Sequence, residues 1–238
     1  MNPPSAEQAV LDAHYMARAL ELARKGLYTT HPNPRVGCVI VRDGQVVGEG
    51  WHVRTGEPHA EVHALRAAGD KARGATAYVT LEPCSHHGHT PPCADALVNA
   101  GLARVVAAMQ DPNPEVAGRG MRRLAQAGIE THSGLLENEA RALNPGFLKR
   151  MEHGLPFVRV KLAMSLDGRT AMANGESQWI TGPAARADVQ RLRAQASVVL
   201  TGADTVLADG ARLTVRAAEL GLDEETTALA MSRPPLRV

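Results

Sequence analysis

Aromatic residues are scarce: two Trp, two Phe and three Tyr make 3% of the 238 residues. A core must therefore be filled by Ala, Val and Leu. Cysteine is scarce too, with three residues in all. That leaves no disulfide framework and favours a reducing compartment, the cytoplasm. An excess of either charge is also lacking: 26 Lys and Arg oppose 25 Asp and Glu, a formal net charge of +1, with no dense basic block. This argues against nucleic acid as the main partner. No apolar run approaches membrane-spanning length, and the N-terminus has no signal-peptide pattern, so no membrane partner is expected. What is present, 44% hydrophobic and 21% charged residues, suits a globular chain of one or two domains.

The most informative stretch is split: His59-Ala60-Glu61, then Pro83-Cys84, then Cys93. One imidazole and two thiolates suit tetrahedral zinc with an open fourth position. Two thiolates cancel the zinc charge, and a neutral His59 adds none. A carboxylate two residues after the histidine suits a proton shuttle that is not itself a ligand. This H-x-E…P-C pattern marks zinc nucleobase deaminases, in which activated water attacks an amine-bearing carbon. Gly56-Glu57-Pro58 reads as a turn and His59–Ala68 as a helix, so His59 and Glu61 sit at its tip. Ala75–Leu81 reads as a strand that delivers Cys84 past its end. Pro91-Pro92 reads as a helix start and puts Cys93 where the helix dipole favours a thiolate.

Other readings compete. His59-Ala60-Glu61-Val62-His63 is not the zinc-protease motif, because the glutamate comes one place late. A structural zinc would want a fourth protein ligand, and His86, His87 or His89 could supply it. Cys38, within the apolar strand Val36–Val41, reads as a small core residue.

Along the chain, Ser5–Lys25 reads as an opening helix, with Ser5 and Gln8 spaced as a capping box and Gly26 as the stop. Val36–Val41 and Gln45–Gly48 flank Asp43-Gly44, a hairpin turn. After the zinc helix and the strand to Cys84 come a helix from Cys93 to Ala100, a strand at 104–108, a helix at Met121–Ala127 and a strand at 129–132. A helix over 137–148 is interrupted at Pro145-Gly146, and 153–156 reads as a linker. Strands alternating with helices give an α/β class. Phe157–Leu162 reads as a strand, Gly182-Pro183 begins a helix to about Gln195, and Ser197–Thr201 is a further strand. That is a β–α–β unit suited to a nucleotide or phosphorylated ligand. No G-x-G-x-x-G stands in the right context, so no dinucleotide fingerprint is present.

Several runs carry a resemblance. They are His31-Pro32-Asn33-Pro34-Arg35-Val36-Gly37, Gly56-Glu57-Pro58-His59-Ala60-Glu61, the stretch from Leu81-Glu82-Pro83-Cys84 to Cys93, and Gln110-Asp111-Pro112-Asn113-Pro114. Further on stand Lys161–Ala171 and Ser177-Gln178-Trp179-Ile180-Thr181. Together they are similar to the bifunctional riboflavin biosynthesis deaminase/reductase family. The resemblance implies a cytidine-deaminase-like α/β/α sandwich over residues 1–150. It also implies the N-terminal part of an NADPH-dependent, dihydrofolate-reductase-like α/β domain over 156–238. The implied reactions are zinc-dependent deamination of 2,5-diamino-6-ribosylamino-4(3H)-pyrimidinone 5′-phosphate and NADPH reduction of the product's ribosyl group to ribityl.

By the same resemblance His59, Cys84 and Cys93 hold zinc, Glu61 is catalytic, and Asn33, His52 and His86 contact the phosphorylated pyrimidine. Matched positions in the second half imply NADPH contacts at Ala163, Trp179, Thr205 and Asp209. They imply substrate contacts at Ser177, Arg193, Leu213 and Arg216. Arg193 and Arg216 suit a phosphate through charged hydrogen bonds, and Trp179 suits a flat wall for a ring. After Asp209 the family has Asp-Pro where this chain has Gly210-Ala211, and the chain ends at Val238 as the family enters another strand. The expectation is an incomplete reductase half that does not reduce. Its exposed apolar faces favour pairing with another chain, which admits a homo-oligomer. The rivals are a tRNA- or DNA-editing deaminase and a zinc-stabilised nucleotide-binding module without activity. Near-neutral charge and the long Cys84–Cys93 gap oppose the first, and Glu61 opposes the second.

Overall fold

The structure, a computed structural model, describes residues 5–85, 92–114 and 116–238. The chain forms two compact units, Met1–Phe157 and Val158–Val238.

The first unit opens with α1 (Ala6–Arg24), capped as its sequence anticipates: the Ser5 hydroxyl accepts the Gln8 N–H at 3.2 Å. Gln8 does not close the box; its side chain donates to Asp12 instead. Strands β1 (Gly37–Arg42) and β2 (Gln45–Trp51) form the hairpin over Asp43-Gly44, both with positive φ, as the twist of a two-residue turn requires. Then follow α2 (Ala60–Ala68), β3 (Thr76–Val79), α3 (Cys93–Asn99), β4 (Arg104–Ala107), α4 (Arg119–Gln126), β5 (Glu130–Ser133), α5 (Glu137–Leu143) and α6 (Pro145–His153). The sheet order is β2-β1-β3-β4-β5. β1 pairs antiparallel with β2 and β3, while β3, β4 and β5 run parallel.

Helices cover both faces. α1 lies so close to β1 that a Cβ at Gly37 would stand 2.0 Å from the Ala19 carbonyl oxygen. α2 lies as close to β2, where a Cβ at Gly50 would stand 2.4 Å from the Ala60 carbonyl oxygen. α3 packs beside α2 and α4, and α5 beside α1. The core between the layers is Ala, Val and Leu with few aromatics, Tyr78 being the largest fully buried side chain. Small side chains let helices sit close on the sheet, which compensates for the scarcity of rings.

In the second unit α7 (Pro183–Gln195) packs against α9 (Glu224–Met231), with Gln190, Ala194, Val215, Leu220 and Ala230 buried. β6 (Val198–Val199) pairs in parallel with β7 (Leu236–Arg237), and α8 (Ala203–Asp209) lies between them in sequence. The strand expected at 157–162 does not form: these residues join no ladder, and Val158, Val160 and Leu162 are exposed. Alternating apolar residues make a strand only where a neighbour satisfies their N–H and C=O groups. The β–α–β unit is therefore not completed, and only α7 and the two-residue β6 remain of it.

Candidate metal centre and its surroundings

His59 is the N-cap of α2, with extended backbone (φ −74°, ψ 166°), and Glu61 lies in the first helical turn. Cys84 follows β3 in a loop, and Cys93 is the first residue of α3. Three element ends thus converge. His59 Nδ1 lies 3.3 Å from Cys93 Sγ and 3.6 Å from Cys84 Sγ. The Cys93 N–H donates to Cys84 Sγ at 3.3 Å. All three ligand atoms fall within 4.8 Å of one another.

This donor set fits zinc. Tetrahedral zinc with bonds of about 2.0 Å to nitrogen and 2.3 Å to sulfur sets those ligands roughly 3.6 Å apart, close to the separations found. The electrostatics agree. A shared hydrogen bond with Cys93, helped by His59 and the Cys93 N–H, draws the Cys84 thiol down to about 4 against its burial. The same shared bond, then burial, drives the Cys93 thiol upward. Two thiols this close resist double ionisation until a cation joins them, and a divalent metal supplies the two charges. His59 is raised by its hydrogen bond with Cys84.

Glu61 is 3% exposed, and burial pushes its carboxyl up to about 7, although His59 pulls it back. It also shares a hydrogen bond with Cys93. A carboxyl balanced near neutrality can both accept and return a proton. Cys38 is fully buried on the sheet face toward Glu61, its thiol raised by burial, and acts as core.

His52 is buried, with its ring edge-on to that of His59 at 5.5 Å between centroids. Burial lowers its basicity. Its Nδ1 faces the Pro58 carbonyl oxygen at 3.3 Å, so the proton resides there and Nε2 is left as an acceptor. Among the described residues no group bonds that Nε2. Asn33 sits in the segment before β1, its N–H bonded to the Thr30 carbonyl at 2.8 Å. Arg35 and Asn144 pin this segment by exchanging bonds of 2.7 and 3.0 Å. His63 is on α2 outside the metal triangle. His86, His87 and His89 lie outside the described residues.

Sequence reasoning gave Glu82 no role of its own. It is buried, and its carboxylate accepts N–H bonds from Asp111, Gly118, Gly120 and Met121. A lone acidic residue closing an apolar strand was the signal available.

In the second unit the Arg193 guanidinium donates to the Thr214 carbonyl at 3.2 Å, beside Leu213. Burial, then the nearby Arg216, lowers the Arg193 guanidinium's pKa. The Arg216 N–H donates to Gln190, and its side chain pairs with Glu219 at 2.8 Å. Arg193, Leu213 and Arg216 are thus neighbours. Trp179 is exposed, with the Arg186 guanidinium 4.5 Å above its ring. Ser177 and Ala163 are half-buried, and Thr205 and Asp209 are exposed on α8.

Residues 10–109 match the cytidine and deoxycytidylate deaminase zinc-binding region, and residues 156–238 match the RibD C-terminal domain. The riboflavin biosynthesis protein RibD of Escherichia coli K12 is 67% identical over 95% of this chain and 62% of its own. That of Haemophilus influenzae is 62% identical over 86% of this chain and 55% of its own. Among solved structures, Acinetobacter baumannii RibD aligns with a TM-score of 0.88 at 58% identity, covering 96% of this chain and 63% of that one. The Thermotoga maritima diaminohydroxyphosphoribosylaminopyrimidine deaminase/5-amino-6-(5-phosphoribosylamino)uracil reductase aligns at 0.85 and 42% identity, covering 97% and 63%. The chain thus spans about six-tenths of the length of these relatives.

Proposed function

Because the chain belongs, over the span it covers, to the riboflavin biosynthesis protein RibD family, we propose that its first unit is a zinc-dependent hydrolytic deaminase of a phosphorylated diaminopyrimidinone. The observation that carries this is the His59–Cys84–Cys93 triangle with buried Glu61 beside it. Zinc held there acts as a Lewis acid that makes water nucleophilic near neutral pH. Glu61 takes one proton from the attacking water and passes it to a ring nitrogen as the water oxygen bonds the amine-bearing carbon; it then takes the remaining proton of that oxygen and hands it to the departing amine, leaving a carbonyl. The bond from ring carbon to amino nitrogen breaks, and ammonia leaves. His52 Nε2, an acceptor, meets an N–H of the pyrimidine, with Asn33 and His86 as further contacts.

The second unit is assigned to the reductase of the same family. Arg193 and Arg216, gathered about Leu213, hold the substrate phosphate, and Ser177 and Leu213 are the further substrate contacts. Ala163, Trp179, Thr205 and Asp209 are the NADPH contacts, with the Trp179 face as a flat wall. Three free thiols and no helix able to cross a membrane, among the described residues, accord with a cytoplasmic enzyme.

The test follows ammonia release by zinc-loaded protein from the diaminopyrimidinone phosphate, with and without NADPH, and in parallel from tRNA and single-stranded DNA. Ammonia from the small molecule in both arms supports the deaminase; ammonia from nucleic acid alone overturns it. NADPH oxidation that follows deamination supports the reductase assignment.

A further inference from the structure

We propose that Glu82 is a positioning residue that ties the metal loop to the 111–118 segment and sets where Cys84 stands. The inference rests on the zinc reading above and adds a residue to it. Glu82 lies two positions before Cys84 and is 3% exposed, and among the described residues no ion pair to it is found. Four backbone donors face its oxygens instead. Oε2 accepts from Gly118 at 2.8 Å and from Asp111 at 3.2 Å; Oε1 accepts from Gly120 at 2.9 Å and from Met121 at 3.3 Å. Gly118 is the N-cap of α4, and Gly120 and Met121 lie in its first turn, so three of the four donors are helix-end N–H groups without helical partners. The positive end of the helix dipole adds to their attraction for a carboxylate.

The grip continues into the loop itself. A Cβ at Gly120 would stand 1.9 Å from the Pro83 carbonyl oxygen, so the α4 terminus is packed directly on the residue before Cys84. The Glu82 N–H donates to the Met109 carbonyl at 3.0 Å, and the Cys84 carbonyl accepts from Ala94 at 3.0 Å. Cys84 is thus held from α4 on one side and α3 on the other. α3 carries Cys93, and α3 packs on α4. One carboxylate therefore fixes the separation between two metal ligands. It also draws Asp111 and Gly118 together, since both bond the same oxygen. In metal centres, loss of such an outer partner typically lowers metal affinity about 10–100-fold.

The experiment compares E82Q with Asp12→Asn, a change at an equally buried carboxylate that bonds Tyr78 and Arg104 rather than the metal loop. Three quantities are read: zinc affinity by competition with a chromogenic chelator, melting of the zinc-free protein, and amide hydrogen exchange at residues 111–121. In E82Q an amide nitrogen replaces one acceptor and confronts two N–H donors. Zinc affinity should fall at least about tenfold, with faster exchange at 118–121 even without zinc. Asp12→Asn should lower the melting temperature and leave zinc affinity unchanged. Wild-type zinc affinity in E82Q, or parallel losses of affinity and stability in both variants, overturns the proposal. Unchanged exchange at 118–121 overturns it whether or not the protein binds zinc, which separates this inference from the zinc reading. Should E82Q not fold, Glu82→Asp keeps the charge but falls one methylene short. Weakened zinc binding in it supports the tie, and wild-type binding overturns it.

Discussion

Cys84 and Glu61 stand beside one another in the site, and their losses should differ in kind. Cys84 is proposed as a ligand, and its sulfur is drawn toward the thiolate by the Cys93 thiol, the His59 ring and the Cys93 N–H. Cys84→Ser offers a poorer donor at the same point, so zinc and deaminase activity should vanish together; metal analysis showing full occupancy would defeat the assignment. Glu61, outside the ligand triangle, is proposed to move protons. Glu61→Gln keeps the shape, so zinc should stay bound while turnover falls about 10²–10⁴-fold, the usual contribution of a positioned acid–base group. A Gln variant that lost its zinc would make Glu61 a ligand instead.

The elements place these residues by close packing. Gly48 and Gly50 on β2 face α2, where a Cβ would meet the carbonyl oxygens of Ala64 at 2.3 Å and Ala60 at 2.4 Å. Gly50→Ala should therefore push the first turn of α2 off the sheet. Overpacking of this kind destabilises by about 1–3 kcal/mol. Because that turn carries His59 and Glu61, zinc affinity should fall with the melting temperature, whereas Gly44→Ala, at an open turn, should leave zinc binding unchanged. Chelator competition beside thermal melting checks both. Local sequence told most of this layer. Ser5, Asp43-Gly44 and Pro92 act at chain distances of a few residues, and each marks an element end where the structure has one. The metal triangle was legible because its chemistry needs particular residue types at helix and strand ends. The strand expected at 157–162 was not, since pairing depends on distant chain. The break at Asn144 separates α5 from α6 because Pro145 starts a helix and Asn144 is engaged by Arg35. Glu82 was hidden for a similar reason: its donors are backbone groups some 30–40 residues away, which residue type does not reveal.

At the scale of the whole first unit, the two faces of the sheet hold different buried charges. The His59–Cys84–Cys93 triangle lies on the α2 side, while Asp12 on α1 accepts bonds from Tyr78 at 2.7 Å and from Arg104 at 2.6 and 2.8 Å on the other. Burial alone would raise Asp12, but Arg104, Tyr78 and Gln8 outweigh it and hold the carboxyl at about 2. A carboxyl lowered on folding stabilises the fold above its unfolded pKa of about 3.9 and loses that contribution as pH falls through 2. Wild-type melting temperature should therefore drop steeply between about pH 4 and pH 2. Asp12→Asn, which strands the Arg104 charge, should cost about 3 kcal/mol at neutral pH and flatten that drop; an unchanged acid limb would show that Asp12 is not its source.

The central claim is that this unit replaces an amino group by oxygen from water, using zinc and Glu61. It is tested most directly by turning over the diaminopyrimidinone phosphate in water labelled with heavy oxygen, with protein stripped of metal and then reloaded with zinc. The account predicts one heavy oxygen in each pyrimidine product and one ammonia released per product, both only after zinc is restored. Ammonia released without incorporated heavy oxygen, or at the same rate before zinc is restored, would contradict it.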